Sequence, residues 1–452
     1  MAQTIDNKNI VGDSYTSLFR ANQQLLERGS SPLFNQMREA AIKRFNEKGI
    51  PGLKDEDYKY THLQEAFERD YTTLFHPEGE LSAEDLFRCN VPALDTHPIL
   101  ICNGWYAPRL QAGTDLPDGI VAGSIRRIAN ERPELVKNYL NRQAGLSEDP
   151  FVALNTAFVQ DGFFLYIPDH VVLEKPLQVI NILRSEGALF SSQRNLIVVG
   201  KNSHAKVVFC DHTLGESRFL SNVVTEVYLE QDSDLEFYAI QSQNNQTTTI
   251  NSVFFNQNTN SHLLSNVSTL HGGVIRNNLK VSLSGEHAES NIFGMSFTDK
   301  KQHVDNFTNI DHKVANCVSN QLYKNVLDEQ SVGVFAGRIH VVCDAQKTNA
   351  FQRNNNILLT DQAKINTKPQ LIIDADDVKC SHGATIGQLD EEALFYMEAR
   401  GINKEKARLM LMNAFAHEVI REIRIEPLRQ RIDELVERRL NGDYARCFEC
   451  GH

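Results

Sequence analysis

Between about Phe151 and Ile373 apolar residues recur with a period of two, and helical runs are almost absent for roughly two hundred residues. Asn195 to Val199, Ala205 to Cys210, Val223 to Leu229 and Asp234 to Ile240 read as strands separated by polar turns. Similar units, each a polar or small turn followed by a strand, return at intervals of roughly 26 to 29 residues: His204-Ala205-Lys206-Val207, Ser233-Asp234-Leu235-Glu236, Ser261-His262-Leu263-Leu264 and His287-Ala288-Glu289-Ser290. This suits a solenoid. A β-sandwich predicts a similar strand spacing, so periodicity alone does not choose between them.

Asn and Gln are dense from Gln241 to Asn260, a composition also found in disordered tracts. Val253, Phe254 and Phe255 interrupt the run with core-type residues, and Asn tolerates the left-handed backbone that tight turns need. Ordered solenoid turns are the expectation.

The flanks differ. From Thr16 to Asn141, Leu18, Leu25, Leu26, Phe34, Met37, Ala41 and Phe45 fall at helical intervals, with Gly49 and Pro51 closing the second run. Pro92, Pro98, Gly104, Pro108, Gly113, Pro117 and Gly119 then break the pattern, leaving short strands at Ile99 to Cys102 and Gly119 to Ala122. After Leu389 the helical period returns. Asp390, Glu391 and Glu392 suit a helix N-terminus, Gly401 its end, and Asn403 the N-cap of a second helix. That helix carries Ala407, Met410, Leu411, Ala414, Phe415, Val419 and Ile423 as its apolar stripe; a third run, Leu428, Ile432, Leu435, Val436 and Leu440, follows Pro427.

The formal net charge of −12 argues against a protein built for nucleic acid or anionic membrane. The start MAQTIDNKNI has no charged-then-apolar signal, no long apolar span occurs, and eight scattered cysteines suit a reducing compartment, so a cytosolic protein is expected. There is no GxxxxGK[ST], HExxH or GxSxG motif, and a non-enzyme is expected.

The chemistry-bearing segment runs from Ala375 to Gly387. Side chains alternate in an extended chain, so Cys380 and His382 share one face, offering a soft and a borderline ligand suited to iron or zinc. Two ligands do not close a site. His204, His271, His303, His312 and His340 read as solenoid turn or surface residues. Cys447, Cys450 and His452 form a CxxC with a nearby His, an incomplete metal set at a chain end.

The run Asp374 to Gly387, continued by Gln388 to Tyr396, resembles the C-terminal signature of the SufB/SufD family of the SUF iron–sulfur cluster assembly machinery. Lys54 to Thr61 resembles the family's acidic-aromatic-basic segment, with Tyr58 where Trp is usual. No cysteine lies between Cys343 and Cys380, near Ala363, where the B-type paralogue carries a sulfur-receiving thiol. Gly383 also replaces the carboxylate of the B-type Glu-His-Glu run. Both departures favour the D type.

The resemblance implies a mainly β fold: a right-handed parallel β-helix core over 151–375, an N-terminal helical and mixed domain over 1–150, and a C-terminal helical domain over 376–452. It implies a scaffold subunit that pairs its β-helix with SufB and binds the SufC ATPase through the tail. Phe395, Met410, Phe415 and Val419 are the expected SufC-docking residues, and His382 and Cys380 would sit at the junction with SufB. The cargo would be iron or a nascent iron–sulfur cluster shared with SufB, and a reduced flavin is linked with the complex without a marked site in this chain. The alternatives are a SufB-like scaffold holding its own cluster and a β-helix polysaccharide-active enzyme using carboxylates such as Asp376 and Asp377.

Overall fold

The computed structural model describes residues 7–77, 94–107 and 116–442. Two parallel sheets dominate it, each built from every second strand of the core, so the chain winds from one sheet to the other and back. One sheet takes His204–Leu214, Asp234–Ser242, His262–His271, Glu289–Thr298, Val318–Leu327, Asn349–Leu358 and Lys379–Gly387 in spatial order. Their starts repeat every 27–31 residues. The fold is the expected β-solenoid, and the expected sandwich alternative fails because consecutive core strands never pair with each other.

One corner of each coil is set by a left-handed residue two positions before the strand: Asn202, Asp232, Asn260, His287, Asn316 and Lys347, with φ between 53° and 62°. Asn and Asp occupy such backbone more readily than most residues, which accounts for much of the polar turn signal. The next residue is small and buried in each coil: Ser203, Ser233, Ser261, Ala288, Cys317 and Thr348. The Gln241–Asn260 tract is ordered, ending one strand and containing all of Thr248–Gln257.

The lumen is apolar early in the core, with Val207, Phe237, Phe255 and Ile292, and turns polar toward the end. One inward column runs Val207, Phe237, Ser265, Ile292, Gln321, Gln352 and His382 in direct register. The expected boundary at 375/376 cuts the last coil, since Lys379–Gly387 pairs with Asn349–Leu358 and completes the solenoid.

At its start the solenoid is closed by antiparallel strands: Trp105–Tyr106 on His97–Cys102, and Val121–Ser124 on Phe163–Ile167. The helices Asn7–Glu27, Pro32–Lys48 and Pro150–Phe158 pack a core of Phe19, Ile42, Phe45, Phe151 and Phe158 beside it. From there the segment around Tyr58 straps the outer face of one sheet. Buried Arg276 stacks on the Tyr58 ring at 4.4 Å and pairs with buried Asp305, to which the Thr61 hydroxyl also donates. Asp57 then pairs with Arg338 at 3.4 Å, and Glu56 pairs with Lys368 on the last strand of that sheet. The strap therefore reaches across four successive coils.

The tail comprises the helices Glu391–Glu398, Lys404–Ile420 and Glu426–Leu440. Asp390 and Asn403 cap the first two as expected, and Gly401 ends the first at φ 86°. The second and third helices cover the outer face of the other sheet, where Met412, Ala416, Val419, Ile432 and Val436 meet Tyr238, Leu264, Phe293 and Leu322. Lys324 is buried beneath the second helix, 2.9 Å from Glu418 and 4.1 Å from the Phe415 ring centroid.

Here the expected apolar stripe is corrected. Ala407 and Val419 are buried as expected, but Met412, Ala416 and Ile420 complete the buried face while Met410 and Ala414 turn outward. The helix is apolar on two adjacent faces, so spacing alone admits both, and the fit to the sheet selects one. Val419 thus belongs to the chain's own core and presents no surface to a partner; Phe415 is half-buried over Lys324.

Candidate functional site

Among the described residues, both sheets stop without cover at the last coil. Among the described residues no strand pairs beyond Lys364–Ile373 in one sheet or Lys379–Gly387 in the other. A parallel strand uses one edge toward the preceding coil, so the outer edge keeps free N–H and C=O groups that template a further strand. On these two terminal strands Ile386 is 52% exposed and Ile372 is 44% exposed.

Cys380 and His382 share the inward register of this coil. Cys380 lies over Ala350, and His382 over Gln352. Cys380 is half-buried against Ala350, Ala375, Val378 and Leu371. Burial holds its thiol above the ordinary value, opposed by a backbone hydrogen bond from Ala350, so it rests protonated until a cation or base draws the proton away. His382 is exposed at the mouth of the lumen. Beneath it Gln352 Nε2 donates to Gln321 Oε1 at 2.6 Å, while Gln352 Oε1 is buried without a hydrogen-bond partner. Thr367 Oγ1, on the facing terminal strand, is likewise buried and unpartnered. Buried polar atoms are rarely left unmet, so this mouth has bonding capacity to spare.

The arrangement offers one imidazole and one thiol at an open edge, with no carboxylate beside them in the register. Asp376 and Asp377 are exposed in the corner before the strand, and the Asp377 backbone serves the corner itself, accepting from Lys347 N at 2.6 Å. They form no carboxylate pair across a cleft. Ala363 is buried, and Cys343 lies exposed in the corner after Val332–Val341. Cys447, Cys450 and His452 lie outside the described residues.

The expected tail surface is divided. Phe395 is 73% exposed and Met410 is 45% exposed, with Tyr396 also in solvent, and only Leu394 of the first tail helix is buried. Sequence reasoning did not single out Tyr396, although its place beside Phe395 in an otherwise acidic helix was the available signal.

Residues 181–415 match the family model described as the SufBD core domain of the SUF system for FeS cluster assembly, and residues 10–179 match that of the SufBD N-terminal region. The chain belongs to the SufBD family. A SufBD family iron–sulfur cluster assembly protein of Synechocystis sp. is 28% identical over 408 residues, covering 88% of this chain and 89% of the relative. The iron–sulfur cluster assembly protein SufD of Escherichia coli is 28% identical over 399 residues, covering 87% and 90%; that of Bacillus subtilis is 24% identical over 341 residues, covering 73% and 76%. Both SufBD regions are thus present, and the core match takes in the last coil and most of the second tail helix. Among the described residues no helix is long and apolar enough to cross a membrane.

Proposed function

We propose that this SufBD protein is a non-catalytic, cytosolic scaffold subunit that joins a SufB-type partner at the open end of its solenoid and carries a SufC-type ATPase on its tail. The observation that supports this most is the uncapped last coil with Cys380 and His382 in its inward register. A second solenoid presenting the same kind of edge would continue both sheets and bury Ile372 and Ile386. The two missing donors, a thiol and a carboxylate, would then come from the partner.

Iron and sulfur are cargo in this reading. The His382 imidazole offers a nitrogen lone pair to iron, and Cys380 offers sulfur once its proton leaves. The ATPase would grip Phe395, Tyr396 and Met410. Its movements would reach the core through the second tail helix, which is tied to the sheet by Lys324–Glu418 and by the Asn266 amide donating to the Val419 carbonyl at 3.0 Å. Reduced flavin would serve the assembled complex as an electron source, with no residue of this chain assigned to it.

His382→Ala tests the proposal. The variant should assemble with both partners yet yield no cluster on anaerobic purification, read by visible absorption and by iron and sulfide content. A normal cluster yield removes His382 from the mechanism.

A further inference from the structure

Far from the open coil, three metal-ligating side chains converge on the outer face of the sheet that carries the tail. His204 and Asp234 open neighbouring strands and are direct register partners, with His204 Nδ1 3.2 Å from Asp234 Oδ1. Glu236, two residues further along, shares that face. One nitrogen from His204 and one oxygen from each carboxylate all lie within 4.8 Å of one another.

Glu236 is 3% exposed. The Tyr238 hydroxyl donates to its Oε2 at 2.6 Å, whereas the nearest cation to Oε1 is the Arg424 guanidinium at 3.9 Å, beyond hydrogen-bond reach. A carboxylate this deep is ordinarily paired closely or bound to a metal. Here one oxygen is held by a phenol, the other has a loosely placed arginine nearby, and the group as a whole reaches the two remaining ligands.

We propose that His204, Asp234 and Glu236 form a binding site for a divalent first-row transition cation. An imidazole with two carboxylates suits zinc, iron(II), cobalt(II) or manganese(II), and the lack of thiolate disfavours copper(I). Two carboxylates and a neutral imidazole balance the ion's charge. Two ligands on one such ion lie at most about 4.2 Å apart, so no pair has to close by more than about 0.6 Å. His204 and Asp234 are partly exposed and free to adjust. Arg424, 55% exposed, compensates the carboxylates without the ion and withdraws when it binds. His262 is the register partner of Asp234 on the next coil but lies 3.6 Å from Glu289, which leaves the remaining coordination positions to water.

Arg424 lies between the second and third tail helices, and its backbone N–H donates to the same Tyr238 hydroxyl at 3.1 Å. Ion binding therefore acts where the tail meets the solenoid.

The test is anaerobic titration of the full-length chain with cobalt(II), in a Cys380→Ser, His382→Ala background that removes the junction donors. One equivalent should bind with weak visible bands and no thiolate charge-transfer band. Asp234→Asn and Glu236→Gln should each weaken that equivalent about tenfold or more. His204→Ala, which leaves the buried carboxylate in place, must show the same loss with an unchanged circular dichroism spectrum. Absence of such an equivalent, or an affinity in the three variants equal to that of the parent background, overturns the proposal. Partner proteins play no part, so the outcome is independent of the scaffold reading.

Discussion

His382 sits one coil beyond Gln352 in the same inward column, and the Gln352 Oε1 beneath it is buried without a partner. The column therefore ends on unmet capacity, and the strands that carry it have unpaired outer edges. In the isolated chain the outward amides of 364–373 and 379–387 should exchange within seconds to minutes, while those of the preceding coils stay protected. Adding the SufB-type partner should slow exchange in both terminal strands. Hydrogen–deuterium exchange with mass spectrometry reads this directly; protection that does not change on complex formation would place the interface elsewhere.

Asp305 and Arg276 form a buried pair under the Tyr58 strap. Asp305→Ala leaves a guanidinium buried without its counter-charge and should cost about 3–5 kcal/mol in urea unfolding. Replacing both partners, Arg276→Met with Asp305→Leu, should recover most of that loss. Equal destabilisation in the single and double variants would show that the strap, and not the uncompensated charge, sets the cost.

Asp211 lines the lumen, where burial raises its carboxyl to about 6 against the pull of a 2.7 Å hydrogen bond from Asn181 Nδ2. The folded chain then holds this proton more tightly than the unfolded chain. Asp211 consequently weakens the fold as pH rises from about 4 through 6, by up to roughly 3 kcal/mol at neutral pH. Asp211→Asn keeps an acceptor for Asn181 and should be the more stable protein at pH 7.5, with the difference vanishing near pH 4. A pH-independent difference in urea midpoints would contradict this account.

The two kinds of tail residue should separate cleanly. Val419→Ala opens a cavity against the sheet and should cost about 2 kcal/mol. Phe395→Asp and Met410→Asp alter exposed positions, should leave stability within about 0.5 kcal/mol, and should release the SufC-type ATPase. Thermal unfolding paired with pull-down distinguishes these cases; an ATPase retained by both aspartate variants would move its docking surface.

Most of the architecture was legible because strand alternation and corner chemistry repeat. One corner of each coil writes a left-handed residue, most often polar, followed by a small one, as in Asp232-Ser233 and Asn260-Ser261. The choice of solenoid over sandwich was not legible locally, since it depends on which strands pair, and the resemblance supplied it. Cys380 and His382 were legible as a same-face pair, but their position on an uncapped coil was not. The face of the Lys404–Ile420 helix was misjudged at Met410 and Met412, where two apolar stripes overlap and only the shape of the sheet decides. Glu236 was hidden altogether, because a carboxylate two residues into a strand carries no signal until the corner His204 folds back beside it.

The most direct measurement is co-expression with the SufB-type and SufC-type proteins of the same organism, followed by anaerobic purification through a tag on this chain and mass determination of the intact complex. The native chain should bring down both partners, while Ile386→Lys on the open coil should keep the ATPase and lose the SufB-type subunit. A folded native chain that captures neither partner, or an Ile386→Lys variant that retains the SufB-type subunit fully, would contradict pairing through the open end of the solenoid.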